Sequence, residues 1–268
     1  MSPATQPVPS SKPLLVLPTY NEAISLPAVL TRLFALPGSL HVLVVDDASP
    51  DDTANLVRAH VEFGHRLFLI SRAGKLGIGS AYRDGFRWAL DRCYSAAIEM
   101  DADLSHDPDD VPRLLAALDT GVDLAIGSRY VQGISVLHWP LSRLLLSLGA
   151  GYYTRLFTGL PLTDPTSGFK AIRREALECL ITKKVTAEGY GFQIELHFTA
   201  HRAGLALREI PIVFTERRNG HSKLSAGIAF EAVFLVPRLG LRRLFRWRRA
   251  LVIPSTQPAR IHKAGAEN

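Results

Sequence analysis

The feature that most limits what this chain can become is a rhythm. Short apolar or β-branched runs recur at residues 14–17, 42–45, 67–70, 96–100 and 122–126, and stretches with helical apolar spacing lie between them, at about 23–36, 52–63, 78–93 and 108–118. Such alternation implies an α/β chain with a mostly parallel sheet and helices on both faces, because each parallel connection has to cross a face of the sheet. In sheets of this kind ligands bind beyond the carboxyl ends of the strands. The polar clusters PTYNE (18–22), DDASPDD (46–52), SRAGKLG (71–77), DADLSHDP (101–108) and GSRY (127–130) each follow one of the predicted strands. All of them therefore fall on one edge, and function is expected there.

Composition narrows the class. At 268 residues with 47% hydrophobic and 21% charged side chains, the chain has enough apolar surface for a full core. A net charge of +6 favours an anionic partner: nucleic acid, phospholipid headgroups or a phosphorylated substrate. Cys93 and Cys179 are too few for a disulfide scaffold or a four-cysteine metal site, which suits a reducing cytosolic setting. The N-terminal residues 1–12 read as a loose tail rather than a signal peptide. Charges at Arg143 and Arg155, and at Glu231 and Arg238, interrupt the two most apolar stretches, so neither reads as a membrane span.

Beyond residue 130 the rhythm changes. Residues 141–157 read as an amphipathic helix, 164–170 as a turn-rich loop, 191–203 as a helix and 205–214 as a strand. Residues 225–250 mix Phe230, Phe234 and Trp247 with many arginines, a pattern that fits either a basic amphipathic helix on an anionic membrane surface or a packed helix covering the core. Residues 251–268 form a second tail without a clear pattern.

The chemistry begins with the acids. Asp107, Asp109 and Asp110 flank Pro108 and read as the cap and first turn of a helix, where the positive end of the helix dipole favours them. That explanation does not reach Asp101 and Asp103, which precede the helix. Two carboxylates at a strand end suit a hard divalent cation whose shell is completed by water and substrate phosphate. DDASPDDT is ambiguous: Asp51 or Asp52 before Thr53 is an ordinary helix start, whereas Asp46 or Asp47 at the strand end can accept hydrogen bonds from a base or ribose. The glycines of RAGKLGIGSAYRDG match neither the dinucleotide fingerprint nor a P-loop, and are expected to allow a tight turn that brings Lys75 near an anionic ligand. Arg129, Arg143, Arg217, Arg218 and Lys223 include candidates for clamping a diphosphate, since guanidinium forks match phosphate oxygens.

Two other chemistries are set aside. His197 and His201 lie one helical turn apart, but Phe198 stands where a zinc protease helix needs glutamate. Ser167 in TSGF lacks the GxSxG elbow of a nucleophilic serine.

PTYNE, VVDDASPDDT, DADLSH, GSRY, DPTSGFK, GYGFQIE (189–195) and RRNGHSKL occur in this order. Together they resemble the family 2 glycosyltransferases of the dolichol-phosphate mannosyltransferase, or polyprenyl-phosphate mannose synthase, type, over about residues 13–225. The resemblance implies a GT-A catalytic domain over 13–224, a nucleotide-sugar donor (usually GDP-mannose), Mg²⁺ or Mn²⁺, and a polyprenyl phosphate acceptor, with no nucleic acid partner. A UDP-hexose donor or another acceptor is the alternative. By motif, Pro18, Tyr20, Glu22 and Asp47 would hold the nucleoside, with Val45, Lys75, Ala102 and Gln193 beside the substrates. Asp101 and Asp103 would serve metal and diphosphate, joined by Ser105 where some members have glutamine. Arg129, Arg143, Ser147, Arg217 and Lys223 would handle the phosphate groups. Many relatives carry transmembrane helices after the catalytic domain, so a chain without them would meet its lipid as a cytoplasmic protein, peripheral on the inner face of the membrane.

Overall fold

The computed structural model describes residues 12–183, 185–216 and 233–242, with backbone only at 190. Its principal sheet runs β3 (Leu67–Ser71), β2 (His41–Asp46), β1 (Pro13–Thr19), β4 (Ala96–Glu99), β7 (Lys170–Arg173), β5 (Leu124–Ser128) and β8 (Leu207–Pro211). Every neighbouring pair is parallel except those made by β7, which runs antiparallel to both β4 and β5. A second, two-stranded sheet joins β6 (Val136–Leu137) to β9 (Phe214–Thr215). The five strands predicted up to residue 126 are present with ends shifted by at most two residues. The single strand expected over 205–214 is instead two, β8 and β9. The short β7 and the helix after it, α6 (Arg174–Ile181), fall between the loop read at 164–170 and the helix read at 191–203, and neither was predicted. Four residues are too few to show a strand period.

The alternating direction of strand side chains divides the core into two layers. Leu15, Leu17, Val42, Val44 and Ile98 pack on one face with α1 (Leu26–Ala35), α2 (Thr53–Ala59) and α4 (Val111–Leu118). Leu14, Val16, Leu43, Val45 and Ala97 pack on the other with α3 (Ile78–Asp91), α6 and α7 (Gly189–Arg202). This is the expected sheet with helices on both faces, and it explains why the central strands read as unbroken apolar runs. The long helix α5 (Leu141–Thr158) lies outside these layers, and Leu160, Ile194 and Phe198 form a smaller cluster there with Val236 and Leu239 of the helical segment 233–242.

The glycine-rich run 72–85 proves to be a packing device. Gly77 has φ +97°, which an L side chain rarely adopts, and it starts α3. A Cβ at Gly85 would stand 2.5 Å from Val16 Cγ1, so the glycine lets α3 lie directly on β1. Gly85→Ala is therefore expected to destabilise the fold by about 1–3 kcal/mol through overpacking. Gly149→Ala, in an exposed helical position with nothing within 4 Å, is expected to be neutral or stabilising by up to about 1 kcal/mol. Urea denaturation of the two variants measures the contrast, and equal stabilities would contradict this packing.

Candidate active site

Strand order reverses between β1 and β4: the chain builds outward from β1 through β2 to β3, then returns to place β4 on the other side of β1. The loops after these two strands therefore flank a topological switch point, where open α/β sheets form their crevice. PTYNE follows β1, and DADLSH follows β4. Four of the six non-glycine residues with positive φ among the described residues, Asn21, Ala48, Asp52 and Leu104, lie in the loops of this edge. Each costs about 1–2 kcal/mol that surrounding contacts have to offset.

Much of the acidic chemistry at the edge is used to hold the loops. Asp46 accepts hydrogen bonds from Thr19 Oγ1 at 2.9 Å, Ser49 N at 3.0 Å and Ser49 Oγ at 2.5 Å. Asp51 accepts from Ala23 N at 3.0 Å and from the Thr53 hydroxyl at 2.5 Å, which ties the PTYNE loop to the start of α2. Asp47 is nearly buried. It accepts from Arg72 Nη1 at 2.6 Å, Leu76 N at 3.1 Å and Gly77 N at 3.0 Å, and so fixes the loop that carries Lys75. Lys75 Nζ then sits 4.1 Å from the centre of the Tyr20 ring, within cation–π range. Two residues from loops after different strands are thus brought together at the rim. Pro18 and Val45 are ladder partners in β1 and β2, and the side chains of Val45 and Ala102 are buried, so any ligand contact they make is through the backbone.

Asp101 and Asp103 emerge from the end of β4. Asp103 is largely buried and accepts from Ser105 N at 3.0 Å and Ser105 Oγ at 2.5 Å across the left-handed residue Leu104. Asp101 is half-buried, and its backbone N donates to His106 Nδ1 at 3.2 Å. Burial pushes His106 down to about 4, so it is neutral and serves as an acceptor for this turn. The donors gathered here, two carboxylates and a hydroxyl, are all oxygen, the set that suits Mg²⁺ or Mn²⁺. Among the described residues no cluster of three or more His, Cys, Asp or Glu has metal-binding form. Asp107 caps the 3₁₀ turn Pro108–Asp110 by accepting from Asp109 N at 3.0 Å, as its sequence position suggested. Asp103 and Ser105 line a cleft of about 570 Å³ together with Asn21, Glu22, Leu137 and Glu216.

The arginines divide by geometry. Arg129 donates from Nε at 2.6 Å and Nη2 at 2.5 Å to Asp164, and from Nη2 to Thr166 Oγ1 at 2.8 Å. Both partners are buried. Burial raises the Asp164 pKa, but Arg129 more than offsets this and holds it below the usual carboxylate range. The edge of Arg129 suited to a two-point phosphate contact is thus turned onto Asp164. Arg143 lies over the Trp139 ring at 4.2 Å and donates from Nη1 to Glu216 Oε1 at 2.6 Å. Ser147 Oγ accepts from the Tyr130 hydroxyl at 2.7 Å. Arg217, Arg218 and Lys223 lie outside the described residues, as does most of the 225–250 segment.

Gln193 lies in the interior rather than on the cleft. Its Nε2 donates to Glu99 Oε2 at 2.8 Å, Lys170 Nζ donates to the same oxygen at 2.9 Å, and Lys170 also reaches Gln193 Oε1. All three are buried, and burial pushes Glu99 up and Lys170 down against their mutual attraction. The sequence reading missed Asp164, Trp139 and Glu216. The signal available was complementary charge: an arginine in GSRY and an aspartate in DPTSGFK, each without an assigned partner. Ser167 donates to Gly127 O at 2.5 Å, a structural role.

Residues 14–181 match the profile of the family described as glycosyl transferase family 2. The chain belongs to that family. It is 45% identical over 242 residues to the polyprenol monophosphomannose synthase of Mycolicibacterium smegmatis, covering 90% of this chain and 91% of that protein. It is 44% identical over 234 residues to the undecaprenyl-phosphate mannosyltransferase of Micrococcus luteus, covering 87% of this chain and 95% of that one. Among solved structures, glucosyl-3-phosphoglycerate synthase from Mycobacterium tuberculosis, in complex with Mn²⁺, UDP-glucose and phosphoglyceric acid, superposes with a TM-score of 0.64 at 22% identity. That match covers 85% of this chain and 79% of that one, and it supports the GT-A-like fold. This family 2 enzyme is a glycosyltransferase.

His197 lies beside the buried network of this enzyme. Its Nδ1–H donates to Pro165 O at 2.9 Å, and burial together with the Lys170 charge pushes its pKa down to about 3. It stays neutral when folded, while an unfolded histidine binds a proton below about pH 6.5. The unfolded state then holds more protons, so stability is lost as pH falls from about 6.5 towards 3. His197→Leu, which removes this titration, is expected to lower stability at pH 7 and to show a smaller deficit at pH 4.5. Urea titrations at both values test it, and a deficit that does not change with pH would contradict this assignment.

Proposed function

We propose that the chain transfers a hexose from a sugar nucleotide to a polyprenyl phosphate, with GDP-mannose as donor, inversion at the anomeric carbon, and Mg²⁺ or Mn²⁺ as cofactor. The observation that carries this reading is the 45% identity, over 90% of the chain, with a polyprenol monophosphomannose synthase. Undecaprenyl-phosphate and dolichol-phosphate mannosyltransferases among the relatives, the latter from Pyrococcus furiosus at 36% identity, name the same kind of acceptor.

On this reading the nucleoside lies along the loops after β1 and β2, against Tyr20 and Glu22 with Pro18, Val45, Asp47 and Ala102 behind them, and Lys75 faces the phosphates. When bound, a divalent cation held by Asp101 and Asp103 beside Ser105 supplies positive charge for the diphosphate that departs. Arg217 and Lys223 are assigned by their motif to the same developing charge. The attacking group is a lipid phosphate, already ionised near neutral pH, so the site needs to place it rather than remove a proton. Arg143 does the placing, with Ser147 held on its helix by Tyr130. Arg129, its fork on Asp164 in a charge-balanced buried pair, fixes the GSRY turn. Gln193 acts at a distance by fixing Glu99, two residues before Asp101.

The lipid is met at a membrane surface, on the cytoplasmic side. Among the described residues no helix is long and apolar enough to cross a membrane. Leu141, Leu145, Tyr152 and Leu156 of α5 are each at least 60% exposed, and Val233, Phe234 and Leu241 are exposed on the adjoining segment. An apolar outer face of this kind, beside Arg155, Arg238 and Arg242, suits an anionic bilayer interface.

Incubation with GDP-mannose and a short polyprenyl phosphate, with and without chelator, tests the reaction. Transfer is expected only with the metal, and Asp103→Asn should fold normally yet lose at least about 100-fold in turnover. Transfer from a UDP-hexose alone, or near-normal rates in the variant, would refute the assignment. Leu145→Glu with Leu156→Glu should abolish pelleting with anionic vesicles, and undiminished recovery in the pellet would count against the membrane face.

A further inference from the structure

Glu216 presents a physical puzzle. It puts a carboxylate into the cleft that also holds Asp103 and Glu22, where the proposed reaction has to admit a diphosphate and a lipid phosphate. Another negative charge there opposes both substrates unless it serves something else. Among the described residues its side-chain partner is Arg143, at 2.6 Å, and the two side chains are 29% and 21% exposed. A pair this open to solvent contributes little to stability. Its value lies in geometry.

The guanidinium of Arg143 is held from two directions. The Trp139 ring lies beneath it, with its centre 4.2 Å from Cζ, and that ring is itself set edge-on against Phe214 at 5.4 Å. Glu216 takes Nη1. Among the described residues Nε and Nη2 have no partner, and they form the edge that grips phosphate or carboxylate at two points. Stacking fixes the plane, and the carboxylate fixes rotation within it. The backbone carries this arrangement back to the acidic turn: Glu216 N donates to Leu137 O at 3.1 Å, and Thr215 N donates to Ser105 O at 3.1 Å.

We propose that Glu216 is a positioning residue, which with Trp139 holds Arg143 so that its Nε–Nη2 edge faces the acceptor phosphate. Anchoring through Thr215 to the 101–105 turn keeps that edge in fixed relation to the diphosphate subsite. The proposal rests on the lipid-phosphate reading above, and it assigns Glu216 to acceptor placement, with no part in donor binding.

The test is a set of Glu216→Ala, Glu216→Gln, Arg143→Ala and Glu216→Ala/Arg143→Ala in the full chain, each first checked for an unchanged melting temperature. Steady-state rates are taken with GDP-mannose and a short polyprenyl phosphate, and binding of the same polyprenyl phosphate is measured by calorimetry without donor. Glu216→Ala is expected to raise the acceptor KM and Kd about tenfold, the size of a coupling between contacting side chains. The donor KM should stay within a factor of two or so of the parent, since coupling decays away from the contact. Glu216→Gln, whose amide oxygen still accepts from Nη1, should recover most of the loss, and Glu216→Ala should add nothing once Arg143 is gone. Tighter acceptor binding in Glu216→Ala, which marks the acid as a placeholder that phosphate displaces, would overturn the proposal. So would an unchanged acceptor Kd or an additive double variant. If the parent protein neither binds nor glycosylates a polyprenyl phosphate, the lipid-phosphate reading fails and takes this one with it. A parent that does both, with Glu216 variants that match it, sinks the positioning role alone.

Discussion

Parallel pairing of β1 on both sides, with β2 through Leu14↔His41 to Thr19↔Asp46 and with β4 through Pro13↔Ala96 to Val16↔Glu99, is the constraint from which the site follows. It makes β1 the strand at which the order reverses, so the chain leaves β1 and β4 on opposite sides of a crevice. The acids after β4 and the PTYNE loop after β1 face each other because the ladder register puts them there. Gly85 belongs to the same constraint: a side chain at that position would lift α3 off the strand that defines the crevice.

Charge at the edge is used in two ways. Asp46, Asp47 and Asp51 spend their oxygens on backbone amides, hydroxyls and Arg72, and hold strained loops in place. Asp101, Asp103 and Ser105 occupy a turn whose donors are all oxygen, and Asp103 and Ser105 line the cleft. The same division runs through the cations. Arg129 is committed to Asp164, whereas Arg143 keeps one edge of its guanidinium without a partner among the described residues. A formal count of acids and bases would not separate these roles. Hydrogen-bond geometry does.

The fold was legible in the sequence because parallel strands buried on both faces leave long apolar runs, and because the polar clusters followed each run. The acidic pair was legible for a related reason: helix capping accounted for Asp107, Asp109 and Asp110 and left Asp101 and Asp103 over. What stayed hidden depends on contacts between distant parts of the chain. Nothing local marks Lys170 as a buried partner for Glu99, 71 residues away, or Asp164 as the counter-ion of Arg129. β7 was missed because four residues carry no period, and Gln193 was set beside the substrates by its motif because a buried amide looks the same in sequence.

The antiparallel strand β7 has an architectural consequence. It lies beside β5, and Gly127 N donates to Phe169 O at 2.8 Å, so the chain leaves the sheet after Ser128 and returns at Lys170 to almost the same place. The excursion between them holds β6, Trp139, Arg143, Ser147 and the apolar face of α5, while the loops that follow β1 to β4 stay on the sheet. The segment has adjacent ends and an outward surface of its own, yet Leu162 and Phe169 anchor it in the two core layers and β6 anchors it on β9. Exchanging residues 129–169 between relatives would have to carry Phe214 and Glu216 along, because β6 pairs with β9 and Arg143 is held by Glu216.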